Sequence, residues 1–162
     1  MSVVGARLPR LEIHEKVTGR AQYIADLSRP GMLHAAILGS PHPHARILGY
    51  DTAEATALPG VRAVLTGNDV GGGLMGAFIK DEPAIAKGKV RYVGEAVAAV
   101  AADDETTARA ALRLIRVDYE ELPSLLTPED ALAPGAAIIH EGLADYFKVF
   151  DAQCEEIGRA HV

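Results

Sequence analysis

Seven consecutive apolar residues, Ala96 to Ala102, form the longest unbroken apolar run in the chain. A membrane helix needs ~20 such residues, so this run does not cross a bilayer as a helix. A strand with one wet face alternates polar and apolar positions. The run has no polar position, which predicts a strand buried on both faces. Asp103-Asp104-Glu105 follow it at once, and three carboxylates are favoured at a helix start by the helix dipole. Ala108, Ala111, Leu112 and Ile115 then fall at i, i+3, i+4 and i+7, one apolar stripe on a helix. Whatever else the chain does, it must cover both sides of the strand and one side of the helix.

The chain has 162 residues, within the ~100–200 expected of a single domain. It contains five Tyr, three Phe and no Trp, so its core is made of Ala, Val, Ile and Leu. With 49% hydrophobic and 23% charged residues, it is excluded from the disordered class, which combines low hydrophobicity with excess charge. The net charge is −6, and the densest basic stretch, Lys87 to Arg91, carries only three charges. A nucleic-acid binder needs a basic face to displace counterions, so no nucleic-acid partner is expected. The N-terminus has no long apolar stretch of signal-peptide type, and no membrane span is expected either. A lone cysteine, Cys154, cannot form an internal disulfide. These features together read as a cytoplasmic protein.

Elsewhere the local signals alternate between strand and helix. Residues 20–24 and 31–38 read as strands separated by the Arg29-Pro30-Gly31 turn. Arg46–Tyr50 reads as a third strand, Thr52–Leu58 as a short helix capped by Asp51, and Val61–Thr66 as a fourth strand. Residues 67–88 hold six of the sixteen glycines and little periodicity. A loop this long in a compact domain is a functional segment, a partner-binding arm or disordered, and partial disorder is the expectation in the isolated chain. Val90–Val93 and Arg116–Tyr119 read as strands, and Thr127-Pro128-Glu129-Asp130 as a capped helix start with proline where its missing N–H costs nothing. The expected class is α+β, a mixed sheet domain with a few short helices.

Four patterns suggest chemistry, and each has a plainer reading. Gly71-Gly72-Gly73-Leu74-Met75-Gly76 matches G-x-G-x-x-G, with Glu95 placed as a ribose-binding acid would be. That motif requires a helix immediately after it, and Pro83 leaves no room for one. His34, His42 and His44 lie close in sequence and could hold a metal, but Pro41 and Pro43 break the strand that would align them. Cys154 stands beside Glu155 and Glu156, which would raise its pKa and blunt it as a nucleophile. Glu120 and Glu121, adjacent on a strand, point to opposite faces and cannot act as an acid–base pair. No serine sits in a G-x-S-x-G turn. No catalytic, cofactor-binding or metal-ligating residue is therefore assigned.

Five segments taken in order resemble one family. They are Lys16–Asp26; Pro30–Ala35; Ser40–Ile47; Leu58–Val61 with Val64–Val70; and Val90–Ala102 leading to Val117–Pro123 and Ile139-His140-Glu141. At this spacing they resemble the N-terminal α/β hammerhead domain of the molybdenum hydroxylase large subunit, the family of xanthine dehydrogenase, aldehyde oxidase and carbon monoxide dehydrogenase. The resemblance implies a hammerhead domain over residues 1–141, with an irregular loop at 67–89, and a C-terminal tail at 142–162 that could form a short helix. It implies a parent oxidoreductase that uses water as oxygen donor at a molybdenum–molybdopterin cofactor, in bacteria often with a cytosine dinucleotide. [2Fe–2S] clusters and FAD would lie on other domains or subunits. The family's cofactor-binding motifs and catalytic glutamate have no counterpart in these residues, so no cofactor is expected on this chain.

The resemblance thus implies an architectural piece, inactive alone, that packs against the cofactor-binding domains, with Gly19, Gly31 and Gly60 serving turns. The alternative is a stand-alone binding or scaffold module of the same fold without redox chemistry. A small metal enzyme built on His34, His42 and His44 is a third reading. The family continues well beyond Gly142, so surface that normally meets the rest of the large polypeptide would be bare, and self-association of the isolated piece is expected.

Overall fold

The computed structural model describes residues 10–142, together with Gly5, Arg7 and Leu8. The expected tail helix lies outside the described residues. The chain divides into two compact units, 1–32 and 33–162.

The first unit holds helix α1 (Ile13–Val17) and one 3-10 turn (Ile24–Asp26), with no residue buried in either. Thr18 ends α1, its hydroxyl donating to His14 O at 2.6 Å. The strand expected over 20–24 does not form: residues 20–23 carry no regular structure. A strand needs a partner for its backbone groups. Here the Asp26 carboxylate instead accepts from Tyr23 N at 2.9 Å and winds the segment into a turn.

The second unit runs β1 (His34–Gly39), β2 (Ala45–Asp51), α2 (Ala53–Ala57), β3 (Val61–Thr66), β4 (Leu74–Met75), β5 (Glu82–Pro83), β6 (Lys89–Val90), β7 (Ala96–Ala102), α3 (Glu105–Leu112), β8 (Arg116–Glu121) and α4 (Pro128–Leu132). All strand pairs are antiparallel: β1-β7-β3 in one sheet, β6-β2-β8 in a second, and β4-β5 as a small hairpin. This is the mixed α+β architecture with short helices that the sequence implies.

The long apolar run is the centre of the first sheet. Ala98 and Val100 face α2 and α3, packing with Ala55, Ala111 and Ile115. On the other face Val97 joins Ala45, Ile47, Ala86 and Val90 in a second core between the sheets. The largest fully buried side chains are only Val90, Val97 and Val100, as a chain poor in aromatics requires. Burial on both faces does not extend along the whole strand, because Ala99 and Ala101 remain partly open. The second sheet covers only the Val97 end.

Helix starts follow the side-chain oxygens. Asp104 accepts from Thr107 N at 2.8 Å, and Thr127 accepts from Asp130 N at 3.1 Å ahead of Pro128. The cap expected from Asp51 falls one residue early: Thr52 holds the cap position, and Asp51 accepts from Ala53 N at 3.1 Å. β1 begins at His34 rather than at residue 31, because Gly31 has φ +76° and Met32 N closes a turn on Arg29 O. The strand expected over 90–93 stops at Val90, since Arg91 to Gly94 form a turn with Gly94 at φ +90°. The 67–89 segment is less irregular than expected. It holds β4 and β5, and it is tied down where Tyr50 Oη donates to Ala86 O at 3.1 Å.

Candidate functional site

The most constrained polar group lies in the turn that ends β6. Glu95 is 4% exposed. Its carboxylate accepts from Arg91 N and lies 3.7 Å from the Arg91 guanidinium. Burial, the largest influence, pushes its pKa above the ordinary glutamate range, while the Arg91 N–H and charge pull back part of that rise. The same turn is stitched to the end of β1: Ser40 N donates to Glu95 O at 2.9 Å, and Gly94 N donates to Ser40 O at 2.8 Å. Gly39 permits this approach, because a Cβ there would stand 3.0 Å from Gly94 Cα. Arg91 Nε is buried without a hydrogen-bond partner among the described residues.

Beside this turn opens a cavity of about 450 Å³, lined among others by Pro43, Arg91, Leu126, Leu132, Ile139 and His140. Lys89 pairs with Glu141 on the adjoining segment and draws the Glu141 carboxyl below its ordinary range. The cavity is mostly apolar, with Arg91, Tyr92, Thr127 and His140 as its polar edge. It can seat apolar side chains and a hydrogen-bond acceptor.

The three histidines do not converge. His34 opens β1, whereas His42 and His44 follow its far end, about 16 Å away along a strand at ~3.3 Å per residue. His44 is buried, and its Nδ1 must carry the proton it donates to Pro123 O at 2.6 Å. His42 lies 3.6 Å from Glu121 and stacks obliquely on Tyr119. Among the described residues no group of three or more His, Cys, Asp or Glu could hold a metal. Glu120 pairs with Arg46, so it and Glu121 serve separate partners. Cys154 lies outside the described residues.

The glycine-rich match closes a hairpin. Asp81 N donates to Met75 O at 3.1 Å, and the next element after Gly76 is strand β5, not a helix. The start of α3 carries Asp103, Asp104 and Glu105, which would repel a phosphate. Arg91 faces Glu95, and Lys89 faces Glu141. Neither the start of α3 nor the Lys89–Glu141 pair fits a pterin phosphate.

Sequence reasoning does not find the Glu95–Arg91 pair. The i, i+4 spacing is visible, but only the turn at Gly94 brings the two together. No helix among the described residues is long and apolar enough to cross a membrane.

Residues 18–123 match the family described as "Aldehyde oxidase and xanthine dehydrogenase, a/b hammerhead domain". The chain is 49% identical over 127 residues to a probable xanthine dehydrogenase polypeptide of Bacillus subtilis, covering 78% of this chain and 17% of that protein. It is 38% identical over 152 residues to the carbon monoxide dehydrogenase large chain of Afipia carboxidovorans, covering 88% of this chain and 18% of that protein. Among solved structures, quinoline 2-oxidoreductase from Pseudomonas putida 86 matches with a TM-score of 0.72 at 44% identity, covering 79% of this chain and 17% of that one. A Cu,Mo-CO dehydrogenase matches with a TM-score of 0.80 at 38% identity, covering 86% of this chain and 18% of that one. The chain thus spans about a sixth of the length of these relatives.

Proposed function

The chain belongs to the aldehyde oxidase and xanthine dehydrogenase a/b hammerhead family, and on that premise we propose that it is an architectural piece of a molybdenum hydroxylase large subunit. Residues 1–141 form the hammerhead domain, with 142–162 as its C-terminal tail. It packs against the cofactor-binding remainder of the large polypeptide and is inactive alone. The remainder carries the molybdenum–molybdopterin and hydroxylates its substrate with oxygen from water. [2Fe–2S] clusters and FAD on other domains or subunits take the electrons, and the whole works in the cytoplasm. Without that remainder the isolated piece self-associates.

The observation that carries this reading is a family domain over residues 18–123, together with a 49% identical match that covers 78% of this chain but only 17% of the relative. The placement of large apolar side chains supports it. Ile37, Phe78, Tyr92, Leu126 and Leu132 are exposed, while the buried core is mostly alanine, with valine and the three isoleucines Ile47, Ile85 and Ile115. An isolated domain gains nothing from that distribution, whereas one built to be covered does.

The test uses the Bacillus subtilis relative lacking its 127 matched residues, co-expressed with this chain. The two should co-purify in equal amounts. The chain alone should hold no molybdenum and should not turn over xanthine, nicotinate or an aromatic aldehyde with a dye acceptor. Turnover by the chain alone, or failure of the two polypeptides to associate, overturns the reading.

A further inference from the structure

The first sheet has one finished face and one that the second sheet covers only at the Val97 end, leaving the rest bare. Antiparallel pairing places directly opposed residues on the same side of a sheet. Ala99 of β7 is opposed by Ile37 of β1 and by Leu65 of β3, and Ala101 is opposed by Ala35 and Ala63. These six positions therefore share one face. The other face carries Ala98 and Val100 and is covered by α2 and α3. On the bare face Ile37 is 65% exposed and Leu65 43%, and Ala35 and Ala63 are exposed too. A sheet face that meets water normally carries polar residues at such positions. Here all six are apolar, in the middle of the sheet.

We propose that this face is the seat of a helix from the remaining polypeptide of the large subunit, lying along β7. The proposal rests on the architectural reading and names its contact surface. Neighbouring strands lie ~4.8 Å apart, so Ile37 and Leu65 stand as two ridges roughly 10 Å apart with Ala99 as the floor between them. A helix with its side chains is ~10 Å across, and alanine lets its axis approach the sheet closely. The occupant must bring an apolar stripe, because the face offers no side-chain hydrogen-bond partner. Its source is the length of polypeptide outside this chain, about five-sixths of each relative.

The experiment places a single thiol on the face, Ala63→Cys in a Cys154→Ser background, and follows its reaction with a maleimide. In the dilute 162-residue chain the thiol should react freely. In the complex with the truncated Bacillus subtilis relative it should react at least tenfold more slowly. Ile37→Asp and Leu65→Lys should keep the circular dichroism of the parent chain and lose association at least tenfold. Leu48→Asp, equally exposed on β2 of the other sheet, should associate as the parent does. A thiol that stays reactive in the complex overturns the proposal, as do Ile37→Asp and Leu65→Lys chains that associate normally. Protection in the dilute chain alone, as monomer or as dimer, means that the chain or its copy covers the face, and also overturns it. Loss of association by Leu48→Asp as well shows a diffuse apolar contact and overturns it too. If the unmodified chain fails to associate, the architectural reading falls with it.

Discussion

Glu95 stands against the general rule that a buried carboxylate is paired and fully bonded. It has the Arg91 backbone N–H and a guanidinium at 3.7 Å, and burial still raises its pKa. The sign of the linkage follows from that rise. A carboxyl whose folded pKa lies above its unfolded value adds stability at low pH and loses it as pH climbs through the folded pKa. Glu95→Gln keeps an acceptor for Arg91 N and removes the titration. The stability of the variant minus that of the parent should therefore increase as pH rises from ~4 upward, the ordinary glutamate pKa being ~4.3. Urea unfolding of both chains across that range measures it, and parallel profiles would refute it. Two glycines give a sharper contrast. A Cβ on Gly67 would lie 2.0 Å from Ala86 O, whereas a Cβ on Gly72 meets nothing within 4 Å. Gly67→Ala should cost about 1–3 kcal/mol or more, and Gly72→Ala should stay within about 0.5 kcal/mol. Equal thermal shifts for the two would show that the 67–88 segment does not hold this packing.

At the scale of elements, strength of local signal decided what could be read. β7 and α3 follow directly from an unbroken apolar run, an acidic start and one stripe. The α4 cap follows from Thr127 and Pro128. The missed elements depend on partners far along the chain. The 20–24 segment has strand-forming residues but no strand beside it, and β6 is two residues long because Gly94 turns the chain back toward Ser40. The cavity draws its walls from Pro43, Arg91, Leu126 and Ile139, which no sequence window contains. The 67–88 segment, expected to be partly disordered, mixes both behaviours. Ala86 N donates to Ala96 O at 2.7 Å, and Ala86 is fully buried, whereas Gly71 to Gly73 sit in open space. Amide exchange should be slow at Ala86 and fast at residues 71–72. Uniformly slow exchange over 70–86 would refute the mobile part.

At the scale of the whole molecule, side-chain size is distributed against expectation. Burial normally takes the largest apolar residues first, yet here the interior is mostly alanine, with valine and three isoleucines, while Met75, Phe78, Leu126 and Leu132 face water. Small residues in the core allow sheets and helices to approach closely, so the domain closes without its large side chains. Those side chains are then left for contacts outside it. Their consequence in isolation is association driven by apolar contact. The weight-average mass of the chain should equal one copy when dilute and rise with concentration in light scattering. The rise should be steeper in ammonium sulfate, which strengthens apolar burial, and should vanish in mild urea, which weakens it. Net charge of −6 opposes association through self-repulsion, so added sodium chloride should promote it modestly. A mass fixed at one copy over the whole concentration range would mean that the outward residues do not form a cohesive surface, and the case for a covering partner would lose its physical driving force.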